Sequence, residues 1–208
     1  GQENMSLAPH AIHLRDGKKL GDTELLDTMI KDGLWDAFHG YHMGVTAENV
    51  AEKFQITRDE QDKFALRSQE KALEAQKLNK FAEEIINFKI KSKKAVTNFN
   101  KDEHPREGIN LDALSRLKPV FKNDGTVTAG NASGINDGAA AVMLMTNEVA
   151  EKNNLQKLVS IKSWASCGVD PALMGTGPIP SSKKALELAG WNIKLSLIHI
   201  SEPTRRKR

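Results

Sequence analysis

From residue 125 to residue 138 the chain reads GTVTAGNASGINDG, and it then runs into the apolar string AAAVMLM. This juncture constrains the fold more than any other feature. Gly130, Gly134 and Gly138 let the backbone take positive φ and come close to a ligand or to another strand. Asn131 and Ser133 can hydrogen-bond locally or to a ligand amide. The string at 139–145 has strand length and no polar interruption, the pattern of a strand covered on both faces. By pattern alone the stretch fits a tight turn feeding a buried strand better than it fits a ligand loop.

After this point strand and helix signals alternate. Residues 148–153 read as helix and 159–164 as strand, and Ser181 caps a helix that Gly190 stops. The second half is therefore expected to be a layered α/β domain. The first half is helix-rich with irregular loops, like an insertion. Residues 11–22 read as a two-stranded excursion turning at Asp16-Gly17. Residues 23–30 read as a helix capped by Asp22 and ended at Asp32-Gly33. Thr46 precedes a short helical run, AENVAEKF. Thr57 and Glu60 form a capping-box pattern for a helix reaching about Leu78, the strongest helical signal in the chain. Residues 84–91 have strand character, with Ile86, Phe88 and Ile90 on one face. Residues 92–118 are polar and irregular, with a short helical pattern near 111–117.

Composition excludes several classes. The 208 residues, 39% hydrophobic, support one substantial core or two small ones. No stretch approaches the length of a membrane-spanning helix, and GQENMSLAPH is not a secretory leader. The net charge is +3, and Arg205, Arg206, Lys207 and Arg208 against Glu202 supply all of it. Residues 1–194 are balanced, so a basic nucleic-acid-binding face is not expected. The single cysteine, Cys167, permits no intrachain disulfide and suits a reducing compartment. The six histidines show no paired metal-ligand spacing, and no metal centre is expected.

Four further features are weighed for chemistry. His42-Met43-Gly44 precedes a helix start and could line an apolar acyl pocket with the imidazole as its polar contact, although such a histidine is more often only packed. Met174-Gly-Thr-Gly-Pro-Ile-Pro180 reads as a defined loop outside regular structure. It is not a phosphate-binding glycine motif, because the third glycine is absent and the prolines remove amide donors. Cys167 has no histidine partner in sequence and reads as a small half-buried residue. The carboxylates of TRDEQD read as partners of a helix dipole, not as an acid/base pair.

Taken together, GQENMSLAPH, DGLWDAFHGYHMGVTAENVA, RDEQDKFALRSQEKA, LKPVFKNDGTVTAGNASGINDGAAAVMLM and GVDPALMGTGPIPSSKKALELAGW resemble the thiolase family. The resemblance runs from residue 1 to about 194. His42-Met43-Gly44-Val45-Thr46-Ala47-Glu48 resembles the short-chain, acetoacetyl-forming branch most. The resemblance implies an α/β fold of two similar halves, each a five-stranded sheet with helices, with a CoA-covering loop domain inserted in the first. Residues 1–135 would hold the end of the N-terminal half and the loop domain, 136–156 the last part of that half, and 157–194 the start of the C-terminal half. Leu34, His42 and Met43 would line the pantetheine and acyl pocket. Gln69 and Arg106 would lie near the nucleotide, Arg106 beside the adenine. Phe121, Ala129 and Ser133 would flank the pantetheine arm, and Met174 would close the acyl end. Residues 11–28 would form a homotetramer contact.

The activity implied is a reversible condensation of two acetyl-CoA molecules to acetoacetyl-CoA and CoA through an acyl-cysteine, with no cofactor beyond the thioester substrates. A cytoplasmic site is implied, or a mitochondrial one if a transit peptide precedes. A degradative 3-ketoacyl-CoA thiolase and a non-catalytic CoA-binding or oligomerisation fragment remain alternatives. The family's nucleophilic cysteine falls before residue 1. Its NEAF segment, GHP histidine and second cysteine fall after the matched part, so this segment alone is expected to be inactive. After Lys194 the resemblance stops, and LSLIHISEPTRRKR reads as a foreign tail resembling translated adaptor sequence.

Overall fold

The computed structural model describes residues 1–92 and 95–193. The expected foreign tail at 195–208 lies outside these residues. The described chain divides into two compact units, one of residues 2–139 and one of residue 1 with the residues from 140 onward.

The first unit is built on two helices. α1 (Met43–Phe54) ends where Gln55 turns left-handed at φ +52°, and α2 (Arg58–Lys77) follows almost at once. The α2 start is the one anticipated. The Thr57 hydroxyl accepts from the Glu60 amide, and the Glu60 carboxylate accepts from the Thr57 amide at 2.8 Å. α1 starts three residues before Thr46. His42 caps it, and Thr46 sits inside the first turns with its hydroxyl donating to the Met43 carbonyl at 2.6 Å. A short α3 (Leu111–Ser115), capped by Asn110, packs on α2, and Leu114 is 1% exposed. Ala51, Ala75 and Val127 complete the small apolar core.

The strands of this unit are short antiparallel pairs. β1 (Gln2–Glu3) pairs with β8 (Gly138–Ala139), β2 (His10–Ala11) with β3 (Leu26–Asp27), and β4 (Trp35–Asp36) with β5 (Tyr41–His42). β6 (Phe88–Lys91) pairs with β7 (Val96–Phe99) in an exposed hairpin, so the expected strand at 84–91 is confined to its second half.

Three expectations change here. The turn at Asp16-Gly17 forms, with Gly17 at φ +69° donating to the Leu14 carbonyl, but the paired strands are only His10–Ala11 and Leu26–Asp27, so all of 12–22 is outside them. No helix forms at 23–30. A π-helical turn, Met29–Leu34, replaces it, and Asp27 rather than Asp22 receives the Met29 amide at 2.9 Å. Leu25 and Leu26 are 63% and 44% exposed, so no packed surface holds a helix here.

The second unit has α4 (Asn147–Lys152), capped by Thr146, and α5 (Pro178–Ala189), stopped by Gly190 at φ +67° as expected. Pro178 and Pro180 sit in the first turn of α5, where an amide would have no helical acceptor, so the prolines start a helix instead of preventing one. The 3-10 turn Pro171–Thr176, capped by Asp170, precedes it. The loop expected at 174–180 is thus helical, and Gly177, not Ser181, holds the cap position. The expected strands at 139–145 and 159–164 are not formed beyond Ala139. Val142, Leu144, Val159 and Trp164 are all more than 70% exposed, because no described strand pairs with them. No described helix is long and apolar enough to cross a membrane.

Candidate functional site

A hairpin delivers His42 to the start of α1. β4 and β5 pair Trp35 with His42 and Asp36 with Tyr41. The four residues between them are held by Asp36. Its carbonyl accepts from Gly40 at 2.8 Å, and its carboxylate accepts from the Phe38 amide at 2.9 Å and meets His39 Nδ1 at 2.7 Å. Burial pushes the Asp36 carboxyl up, but the Phe38 amide and the His39 ring together outweigh it and hold it below its ordinary value.

His42 has extended backbone geometry, and its Nδ1 accepts from the Gly44 amide at 2.9 Å. An accepting Nδ1 carries no proton, so the neutral ring bears its hydrogen on Nε2. The ring also stacks on Phe121, with centroids 4.7 Å apart and planes 20° apart. Gly44 makes this approach possible, since a Cβ there would lie 2.3 Å from the Phe121 ring carbons. Met43, half-buried, occupies the first position of α1, and Leu34, also half-buried, ends the π-helical turn directly before β4.

Residues 121–133 form the facing segment. Val120 donates to the Val127 carbonyl, and Pro119 bridges Thr128. The segment is pinned to both long helices by polar side chains. The Glu48 carboxylate, on α1, accepts from the Thr126 and Val127 amides at 2.8–2.9 Å and from the Thr126 hydroxyl at 3.0 Å. Asp62, on α2, accepts from Arg58 Nε at 2.7 Å and from Asn131 Nδ2 at 2.9 Å. Asn131 Oδ1 in turn accepts from the Thr128 amide, and Thr128 is fully buried. Arg58 also donates to the Leu114 and Leu117 carbonyls. Gly130 lies so close to these two leucines that a Cβ would fall 2.5 Å from Leu114. The turn thus held leaves Ala129 and Ser133 exposed.

A third segment docks beside them. The Gln69 side chain accepts from the Arg106 amide at 2.9 Å, and Gln76 donates to the Asp102 carbonyl. His104 packs where a Cβ on Gly134 would stand, 2.3 Å from Cε1. The Arg106 side chain is left exposed.

Eight of the nine residues singled out in sequence therefore lie in the unit of residues 2–139. His42 touches Phe121 and Gln69 touches Arg106. Met174 lies in the other unit, 42% exposed, on the 3-10 turn before α5. Cys167 is free and half-buried. Sequence reasoning does not find the roles of Glu48 and Arg58, whereas Asn131 bonds locally as expected, accepting from the Thr128 amide at 2.7 Å. Asp59 and Glu60 sit in the first turn of α2 as expected of dipole partners, while Asp62 lies beyond it, 4% exposed and bonded to Arg58 and Asn131. The i,i+4 spacing of Arg58 and Asp62 was the available signal. Glu48 had none, since its partners lie 78 residues away. Among the described residues no cluster of three His, Cys, Asp or Glu could hold a metal ion.

Residues 1–148 match the family model described as thiolase, N-terminal domain. The chain is 58% identical over 203 residues to an acetyl-CoA acetyltransferase of Rhizobium meliloti, covering 97% of this chain and 52% of that protein. In structure it resembles the Bacillus anthracis acetyl-CoA acetyltransferase with a TM-score of 0.90 at 45% identity, covering 93% of this chain and 49% of that one. It also resembles human mitochondrial 3-ketoacyl-CoA thiolase, with a TM-score of 0.88 at 42% identity and the same coverage. These neighbours bear out the α/β thiolase fold, of which this chain is a part. The chain spans about half the length of the relatives it matches.

Proposed function

Because the chain belongs to the thiolase family, we propose that it forms part of an acyltransferase whose parent condenses two acetyl-CoA molecules to acetoacetyl-CoA and CoA, reversibly, through an acyl-cysteine. The corner at His42 carries this reading. An imidazole whose Nδ1 accepts from the Gly44 amide, leaving Nε2 to face a ligand, stands beside Met43 and Phe121 in an apolar wall. Such a wall suits a short acyl thioester, whose carbonyl needs one donor and whose methyl needs apolar cover. High identity to an acetyl-CoA acetyltransferase favours the short-chain branch.

On this reading residues 1–135 hold the CoA-covering loop domain, 136–156 close the first half and 157–194 open the second. Leu34, His42 and Met43 line the acyl and pantetheine pocket. Phe121, Ala129 and Ser133 flank the pantetheine arm, with Gln69 and Arg106 toward the nucleotide and Met174 at the acyl end. Residues 11–28 serve a homotetramer contact, and the enzyme works in the cytoplasm with no cofactor besides its thioester substrates. The reacting cysteines and histidine belong to parts of the family pattern outside residues 1–194, so this segment contributes binding and orientation.

The test is thiolysis by the full-length protein of acetoacetyl-CoA against a long-chain 3-ketoacyl-CoA. We expect the C4 substrate to have the higher kcat/KM. A clear preference for the long chain would move the protein to the degradative branch, a reading that the likeness to 3-ketoacyl-CoA thiolase favours. CoA binding without turnover of either substrate would mark a non-catalytic binder.

A further inference from the structure

Glu48 is a charged side chain on α1, 5% exposed, that makes none of its observed bonds to its own helix. Buried carboxylates are costly unless hydrogen-bonded, so its position calls for an account. All of its partners belong to residues 126–127: two backbone amides and one hydroxyl. Gly125 keeps that approach open, for a Cβ there would lie 2.2 Å from Glu48 Oε1.

The two walls of the proposed pocket hang on these contacts. One wall, His42 and Met43, is the first end of the helix that bears Glu48. The other, Ala129 and Ser133, begins two residues after Val127. Phe121 already ties the start of this segment to His42, and Pro119 bridges Thr128. The turn at 122–127 is held from the α1 side by Glu48, which binds the 126–127 amides directly, and by Lys122, whose Nζ reaches Asn49 at 3.4 Å and Glu52 at 3.7 Å. Gln61, from α2, reaches the same Thr126 hydroxyl at 2.8 Å.

We propose that Glu48 is a positioning residue for the thioester pocket: it holds the wall carrying Ala129 and Ser133 in register with the wall carrying His42 and Met43. The inference rests on the CoA-thioester reading of this site and deepens it. Such a residue touches no substrate. Its loss shifts one wall by a fraction of an ångström and weakens the binding of what lies between.

The experiment is steady-state kinetics of the full-length protein on acetoacetyl-CoA, with three variants. Glu48→Gln keeps the shape, but its amide nitrogen cannot accept, so a donor at 126–127 loses its partner. It is expected to raise KM about tenfold while kcat stays within about twofold of the parent, the pattern of lost binding rather than lost chemistry. Thr126→Val keeps both amide contacts and removes the hydroxyl, and should raise KM about threefold. Lys53→Gln, on the same helix and exposed, should change neither constant.

An unchanged KM in folded Glu48→Gln, or a fall in kcat at constant KM, overturns the proposal. If Glu48→Gln does not fold, Thr126→Val decides, and an unchanged KM there overturns it equally. If the parent does not turn over acetoacetyl-CoA, the functional reading has failed on its own. The positioning role is then read from calorimetric CoA affinity, where equal Kd for parent and Glu48→Gln would overturn it.

Discussion

The turn at 125–132 and the run at 139–145 are close neighbours in the sequence, yet water treats them in opposite ways. The turn is polar and small, and it is held: Thr128 is 0% and Val127 6% exposed. The run is almost purely apolar, and Val142, Met143 and Leu144 are 85%, 80% and 74% exposed. Hydropathy alone predicts the reverse. What separates them is partners. The turn finds Glu48, Asp62 and Asn131 to bond its amides, with Leu114 and Leu117 against Gly130. The run is patterned for a sheet, and its described neighbours supply the pairing of Gly138–Ala139 with Gln2–Glu3 and of Ala140 with Gly1, with no described strand beyond. Burial follows the presence of a complementary surface, and an apolar string without one stays wet.

The sharpest way to break this contrast is to truncate one side chain in each region. Leu114→Ala, at a site 1% exposed, should cost roughly 2–5 kcal/mol in a denaturant titration. Val142→Ala, at a site 85% exposed, should change stability by no more than about 0.5 kcal/mol. Equal effects would mean that the run is covered as well as the turn. Adding an atom probes the held region from the other side. Gly44→Ala puts a Cβ 2.3 Å from the Phe121 ring and should lose about 1–3 kcal/mol, with altered near-ultraviolet dichroism as the ring is displaced.

The smallest effect is electrostatic. The Thr57 amide and hydroxyl hold the Glu60 carboxyl below its ordinary value of 4.5. A depressed acid stabilises the fold at pH above that unfolded value and loses this as pH falls through its lowered folded value. Glu60→Gln should therefore flatten the acid limb of a stability–pH curve below about pH 4.5 while leaving neutral pH little changed. An acid limb identical to the parent's would remove the capping box from the account of α2.

The contrast also explains what could be read in advance. Local signals were legible: Thr57 with Glu60, the stop at Gly190 and the length of α2 all lie within a few residues of what they control. The family was legible because its blocks are long and ordered. The end of α1 at Phe54 is the one the sequence indicates, but its start is not, because His42 and Thr46 can both cap and it is His42 that has the extended backbone of a cap. The prolines at 178 and 180 were read as helix breakers, although the same residues at a first turn are helix starters. The strands at 139–145 and 159–164 were misread for a non-local reason. A strand is defined by a partner, and an apolar run says nothing about whether one is adjacent. The polar hub was illegible for the same cause, since Glu48 and Thr126 are 78 residues apart.

That separation has a temporal consequence. α2 can form from its own capping box, whereas the Glu48 bridge must wait until the long intervening chain has closed, and contacts of such span are made slowly. The segment at 126–128 is therefore expected to dock late in folding, after α2 has formed, when the chain returns at Thr126.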